Sequence, residues 1–300
     1  MSEPALFPDY DALIDYSDMS DEDAAETRAA VDEVLAFNAK LTPQTGIVDL
    51  DFIGVKLDLG ENHYFIPRKD ARDILEDQWG NPADPGVLGM IFERGSDHAV
   101  NQYAVEISYN DTGYVSDKDA ANIDYDDLLA EMQDQAQAEN IERVAEGYGT
   151  AELLGWAQSP VYDGQAHQLF WAKSLQFSDT EGETLNYNHR FLGRRGVLEF
   201  NYIAVLDELE TVNAAIPDMG EMVVFEAGHR YSDFDATTDK VATYGVAGLI
   251  AGGVVAKKAG LLAILLLFLK KGWIILLAGG AFLMRFVRGM FGRKETDNVG

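Results

Sequence analysis

HQLFWAKSLQFSDTEGETLNYNHRFLGRRGVLEFNYIAVL, residues 167–206, decides the fold class. Leu169, Trp171, Lys173, Leu175 and Phe177 recur at every second position, the period of a strand with one face turned inward. Gly193-Arg194-Arg195-Gly196 is a hairpin-turn candidate further on. The whole stretch from Ala151 to Leu206 therefore reads as successive antiparallel strands. Upstream, a helix is predicted from Tyr125 to Glu146 with Leu128, Leu129, Met132, Ala136, Ile141 and Val144 inward, and strands at Val87–Phe92 and Tyr103–Tyr109. A short strand, Tyr64–Ile66, precedes a helix carrying Ala71, Ile74, Leu75 and Trp79, closed by Gly80-Asn81-Pro82. Val48, Leu50 and Phe52 alternate, and Val55, Leu57 and Leu59 resume after a slip at Ile53–Gly54 that suggests a bulge or bend. At the N-terminal side, Ser20-Asp21-Glu22-Asp23 resembles a capping box before a helix with Ala24, Ala25, Val31, Val34, Leu35 and Leu41, ended before Pro43. Downstream, a short helix Asp207–Ala215 should stop at Pro217, and Val223–Phe225 is expected as the last strand.

The fold class is α+β: an antiparallel-rich sheet domain with several helices, followed by a C-terminal transmembrane helical segment. Three regions follow: 1–45, an acidic N-terminal extension with one helix; 46–236, the α+β domain; and 237–300, a hydrophobic anchor with a basic tail.

Charge separates the regions further. The 300 residues carry 51 acids against 23 bases, a formal net charge of −28. Residues 1–240 hold 49 of the acids and 15 of the bases; residues 241–300 hold 2 acids and 8 bases. An acidic body without a basic face argues against a nucleic-acid partner. The absence of cysteine excludes disulfides, thiolate metal sites and a cysteine nucleophile.

After Lys240 come three apolar blocks, Val241–Ala256, Ala259–Leu269 and Gly272–Met284, separated by Lys257–Lys258 and Lys270–Lys271. A membrane span needs about 20 apolar residues, more than any block holds alone. In one arrangement Ala259–Met284 crosses once with a lysine pair near its middle, each lysine costing roughly 2.5–3.5 kcal/mol. In the other, a helix from about Ala242 to Leu269 stops at Lys270-Lys271-Gly272 and a second starts near Trp273. Gly248 and Gly252 then form a small-xxx-small pair for membrane helix packing. Arg285, Arg288, Arg293 and Lys294 should face the cytoplasm, which places the body outside it for one crossing and inside it for a hairpin. Residues 1–19 have neither a basic start nor an apolar run, so no signal peptide is expected there.

Signatures of chemistry are absent from the sequence. There is no nucleophile elbow, zinc-protease helix, phosphate loop or dinucleotide fingerprint, and no catalytic residue, metal ligand or cofactor is assigned. The five histidines are scattered. Asp117-Lys118-Asp119 with Asp124, Asp126 and Asp127 fails the calcium-loop pattern, and Asp124 reads better as a helix cap. The cationic run at Arg190, Arg194 and Arg195 is a candidate anion site if the arginines share a surface; the competing reading is internal pairing with the body's many acids.

Several strings carry a resemblance. They include Gln78-Trp79-Gly80-Asn81-Pro82, Gly113-Tyr114-Val115-Ser116-Asp117-Lys118-Asp119-Ala120, Gly155-Trp156 with Pro160-Val161-Tyr162-Asp163, and Leu169-Phe170-Trp171-Ala172. Leu185-Asn186-Tyr187-Asn188-His189-Arg190-Phe191-Leu192-Gly193-Arg194-Arg195-Gly196-Val197-Leu198 and Arg230-Tyr231-Ser232-Asp233-Phe234 continue the series. From about Gly46 onward the chain is similar to the uncharacterised bacterial "predicted membrane-anchored protein" family, domain of unknown function 2167. The resemblance implies a domain exported by an N-terminal signal and tethered by a C-terminal hydrophobic segment, and it implies no reaction. An acidic extension stands here in place of the signal. The expected function is a non-enzymatic, membrane-anchored envelope binding or scaffold module, with the bilayer and a membrane or envelope protein as partners. The alternatives are a carboxylate-dependent hydrolase or carbohydrate-active enzyme, and an accessory subunit of a membrane assembly or transport complex.

Overall fold

The computed structural model describes residues 5–17, 19–81, 83–145, 149–178 and 182–252. A helical turn, α1 (Tyr10–Leu13), and a helix, α2 (Asp21–Asn38), precede the strands β1 (Ile47–Leu50), β2 (Val55–Asp58) and β3 (His63–Pro67). Helix α3 (Arg68–Arg72) runs on into a π-helical turn, Asp73–Gln78, and is followed by β4 (Val87–Glu93), β5 (Ala104–Asn110), β6 (Tyr114–Ser116) and α4 (Tyr125–Ala145). The long strands β7 (Ala151–Asp163), β8 (Gln168–Phe177), β9 (Thr184–Leu192) and β10 (Val197–Val205) come next. Then follow α5 (Leu209–Met222), β11 (Val223–Phe225), β12 (Val241–Gly245) and α6 (Val246–Ile250).

The expected α+β class with antiparallel strands is what forms. A seven-stranded sheet runs in the order β3-β4-β5-β10-β9-β8-β7, and each neighbouring pair is antiparallel. Gly193–Gly196 does turn β9 into β10, pairing Leu192 with Val197. One face of this sheet is apolar. Val105, Ile107, Leu185, Tyr187, Phe200 and Tyr202 pack there beneath α5 and a small sheet, β1-β2-β11.

The opposite face is covered in three pieces, one of them α4, whose Leu129, Met132 and Ala136 pack on Leu153, Leu175 and Phe177 of β7 and β8. Over β3 and β4, the side chains of Ala71, Ile74, Leu75 and Trp79 close on Tyr64, Ile66, Met90 and Phe92. Over β8 and the β9–β10 turn, Val246, Leu249 and Ile250 of α6 join Val115 and Tyr231 on Leu169, Trp171, Leu192 and Val197. Between these covers a buried row of polar side chains crosses the sheet, with Trp171 beneath α6 and Lys173 beside Glu139 of α4.

Four local expectations are corrected. Val48 to Leu59 is not one bulged strand but a hairpin, with β1 and β2 joined through Asp51–Gly54 and Gly54 in the left-handed region that a Cβ disfavours. Helix α4 turns Leu128, Leu129, Met132 and Ala136 inward, but Ile141 is 75% and Val144 58% exposed. Its last turn faces the sheet with Asn140, bonded to the Ala151 backbone, and with buried Arg143 over the Phe177 ring. Helix α5 continues through Pro217 instead of stopping, because Ile216, Met219 and Met222 bury against the apolar face and outweigh the missing N–H.

The fourth correction concerns the start of the apolar C-terminal region. Val241–Gly245 is a strand paired in parallel with β6, not the first turn of a long helix. Asp119 then starts α6, accepting the Val246 and Ala247 N–H groups at 3.0 Å each, and Ala251 caps its end. Among the described residues no helix is long and apolar enough to cross a membrane. The blocks Ala259–Leu269 and Gly272–Met284, with the basic tail, lie outside the described residues.

Candidate functional site

The polar row on this second face is built by strand register. Glu106 of β5 sits opposite Asn201 of β10, which sits opposite Asn188 of β9, which sits opposite Trp171 of β8. One row along, Glu199 faces Arg190, and Asn186 faces Lys173. All of these side chains share one face because neighbouring strands keep partners in phase. The residues between them in sequence, such as Val105, Tyr187 and Phe200, feed the apolar face.

A continuous chain of hydrogen bonds links the row. Asn201 Nδ2 donates to Glu106 Oε2, and Asn201 Oδ1 accepts from Arg190 Nη2 at 2.9 Å. The same Nη2 donates to Asn188 Oδ1 at 2.8 Å, and Asn188 Nδ2 passes the chain to Asn186 Oδ1 at 2.9 Å. Arg190 Nη1 donates to the Phe200 carbonyl at 3.1 Å, while Nε stands 3.7 Å from Glu199 Oε1. The guanidinium lies 5.3 Å from the Trp171 ring centroid, within cation–π range.

Burial makes the row expensive to leave incomplete, and it is incomplete. Asn188, Glu106 and Arg190 are only 2%, 5% and 6% exposed. Yet Glu106 Oε1, Arg190 Nε and Trp171 Nε1 have no hydrogen-bond partner among the described residues. An unsatisfied buried polar atom costs about 1–3 kcal/mol. Lys173, half-buried at the end of the row, makes no hydrogen bond or ion pair among the described residues. Four groups that would each bond a ligand or water therefore line one stretch of sheet.

The electrostatics are set by the same burial. Loss of water pushes the Glu106 carboxyl up to about 7, against the opposing pull of Asn201 and Arg190, with Glu199 and Asp84 adding to the rise. Loss of water also lowers the Lys173 ammonium to about 8, assisted by the charge of Arg190 and opposed by Glu139 of α4. Two ionisable groups thus titrate near neutrality on one surface, the arrangement expected of a binding or acid–base site.

The arginines singled out from sequence do not gather. Arg190 is inside the row. Arg194 is clamped by Asp239, donating from Nε at 2.7 Å and Nη2 at 3.0 Å, and by the Gly228 carbonyl. Arg195 is exposed at the turn. Gly248 is held against its own Tyr244, where a Cβ would come within 2.6 Å. Gly252 takes a left-handed backbone just after the α6 cap, so the two glycines share no helix face. Asp124 does cap α4, accepting the Asp126 and Asp127 N–H groups.

Two other polar groupings lie elsewhere in the body. Tyr162 donates to Asp117 at 2.8 Å and shares a hydrogen bond with His167 at 3.2 Å, while Tyr231 stacks on Tyr114 and lies 4.2 Å from His167. Buried Asp97 is satisfied by Tyr10, Asn38 and the Ala99 and Val100 N–H groups. Among the described residues no group of three or more His, Asp or Glu side chains is placed to hold a metal ion.

Sequence reasoning found Arg190, within a polar run that also holds Asn186 and Asn188, but missed Glu106, Asn201 and Lys173 as its companions. A usable signal existed for Lys173, a charge at the inward position of an otherwise apolar alternation. No such signal marks Glu106, one acid among 51.

Residues 42–281 match the family described as a protein of unknown function (DUF2167). The chain belongs to this family. The matched span contains every member of the row and begins after α2. No curated protein matches the chain. Among solved structures it is similar to cyanobacterial PsbP (CyanoP) from Synechocystis sp. PCC 6803. That likeness has 10% identity and a TM-score of 0.34, and it covers 62% of this chain and 92% of that one.

Proposed function

We propose that this DUF2167 chain is a ligand-binding module held at the bacterial cell membrane, with its folded body on the extracytoplasmic side. The observation that carries the binding reading is the row itself. Among the described residues, three strongly buried polar atoms and one half-buried ammonium lack hydrogen-bond partners along one row of the sheet. A purely structural row is expected to be apolar or to satisfy its own polar atoms.

The membrane reading is supported by sequence. Apolar blocks and a basic tail follow α6 closely, with Lys257 only seven positions beyond Ile250. Seven extended residues reach about 25 Å at most, so a body packed on α6 would ride close to the bilayer. A membrane or envelope protein remains the partner this placement favours.

The test is a thermal-shift screen of the full chain in detergent micelles against a library of charged and neutral small molecules. A compound that raises the melting temperature by several degrees in the wild type, and not in Lys173→Met, supports the reading. A library without such a compound overturns it. A carboxylate-dependent hydrolase is the second reading, favoured specifically by a Glu106 carboxyl that titrates near 7. Turnover that Glu106→Gln abolishes while binding persists would promote it over a binding module.

A further inference from the structure

We infer that the row takes a small ligand bearing a single carboxylate, seated between Lys173 and Arg190, with hydroxyl groups on its body meeting Glu106 and the asparagine amides. The inference rests on the row being the ligand site.

Charge sets the sign and the size of the anion. Arg190 and Glu199 approach to 3.7 Å and offset one another. Lys173 is left without an acid partner in contact, in a body where acids outnumber bases by 49 to 15. Other half-buried cations are paired in contact: Lys56 with Glu226 at 2.8 Å, Arg72 with Glu76 at 2.6 Å, and Arg194 with Asp239. One positive charge without contact neutralisation calls for one negative charge, not for a dianion.

Donor geometry selects carboxylate over phosphate. Both Nη atoms of Arg190 are already spent on Asn188, Asn201 and the Phe200 carbonyl. The fork that grips a phosphate with two parallel bonds is therefore unavailable, and only Nε is left to donate. Single donors at Arg190 Nε, Trp171 Nε1 and Lys173 suit the two oxygens of a carboxylate. Beside them Glu106 Oε1 is an open acceptor, or a donor when the carboxyl is protonated, and Asn186 and Asn201 are half-buried with amide capacity to spare. Such a set matches hydroxyl groups near the carboxylate, as in hydroxy acids and uronic acids.

The experiment is calorimetric titration of the full chain in detergent micelles at pH 6.5, using D-galacturonate, L-lactate, D-galactose and inorganic phosphate. At least one of the two carboxylates is expected to bind, with D-galactose and phosphate at least tenfold weaker. Lys173→Met should weaken the carboxylate at least tenfold while its own melting temperature equals or exceeds that of the wild type. Should that variant not fold, Lys173→Gln serves the same purpose. Phosphate or D-galactose binding as tightly as the carboxylate, or a carboxylate indifferent to Lys173, overturns the inference. Neither carboxylate binding, while the broader library yields a Lys173-dependent compound, overturns the ligand class and keeps the site. Silence from both overturns the site as well.

Discussion

A carboxyl taken out of water beside an amide is held protonated more easily than ionised, and at Glu106 this gives stability a definite pH dependence. Its ordinary value is 4.5 and burial raises it to about 7 in the folded chain. The folded state therefore binds the proton more tightly than the unfolded one. That contribution is fully present below 4.5 and is lost as pH rises through about 7. The gap corresponds to about 3 kcal/mol. His189, buried on the other face and lowered to about 3 by burial and by Arg190, acts in the opposite sense: its contribution is present above 6.5 and lost on acidification. The wild-type profile mixes both, so the informative quantity is the difference between Glu106→Gln and wild type. Urea unfolding should find the two within about 1 kcal/mol at pH 4.5 and the glutamine variant more stable by up to about 3 kcal/mol at pH 8. A gap equal at the two pH values would remove Glu106 as the titrating group. None of this was legible beforehand. The sequence shows Arg190 as a scarce cation, but its destination is decided by strand register, and register also selects Glu106 from a crowd of acids.

Elements were read well wherever the period was two and supported by packing. The expected strands at Val87–Phe92, Tyr103–Tyr109 and within Ala151–Leu206 all form, because each buries apolar side chains on the one seven-stranded sheet. Reading failed where a short-range signal was overruled by distant packing: Pro217 inside α5, the outward Ile141 and Val144 of α4, and above all β12 and α6. Val241–Ile250 has the composition of a membrane helix, but its fate depends on Asp119, more than 120 residues earlier. Both carboxylate oxygens of Asp119 cap α6, and Gly245 lets them approach, since a Cβ there would lie 2.5 Å from Oδ1. Asp119→Ala and Gly245→Ala should therefore act on the same cap. Each is expected to cost about 1–2 kcal/mol in urea unfolding, and the double variant should cost little more than the worse single one. Fully additive losses would mean that the two residues stabilise the chain independently.

At the scale of the whole molecule, the chain divides into an acidic body and a basic, apolar end, and the orientation of the two follows from charge. The tail residues Arg285, Arg288, Arg293 and Lys294 favour the cytoplasmic side. In the proposed arrangement a single crossing between Ala259 and Met284 would carry the body outward, where its charge of −34 over residues 1–240 would keep it hydrated. A hairpin would keep both ends inside, but it needs its first helix to begin near Ala242, and that stretch is committed instead to β12 and to α6 packed on Leu169 and Trp171. The stretch Ala259–Met284, interrupted by Lys270–Lys271, has the length of one proposed span and not of two. The cysteine-free chain makes this directly measurable with single cysteines at exposed Ser178 of the body and at Asn298 of the tail. In intact cells an impermeant thiol reagent should label Ser178→Cys and leave Asn298→Cys untouched until the cells are opened. Protection of both positions would put the body in the cytoplasm and move the search for its carboxylate ligand there. Labelling of both would leave no crossing to hold the body at the membrane.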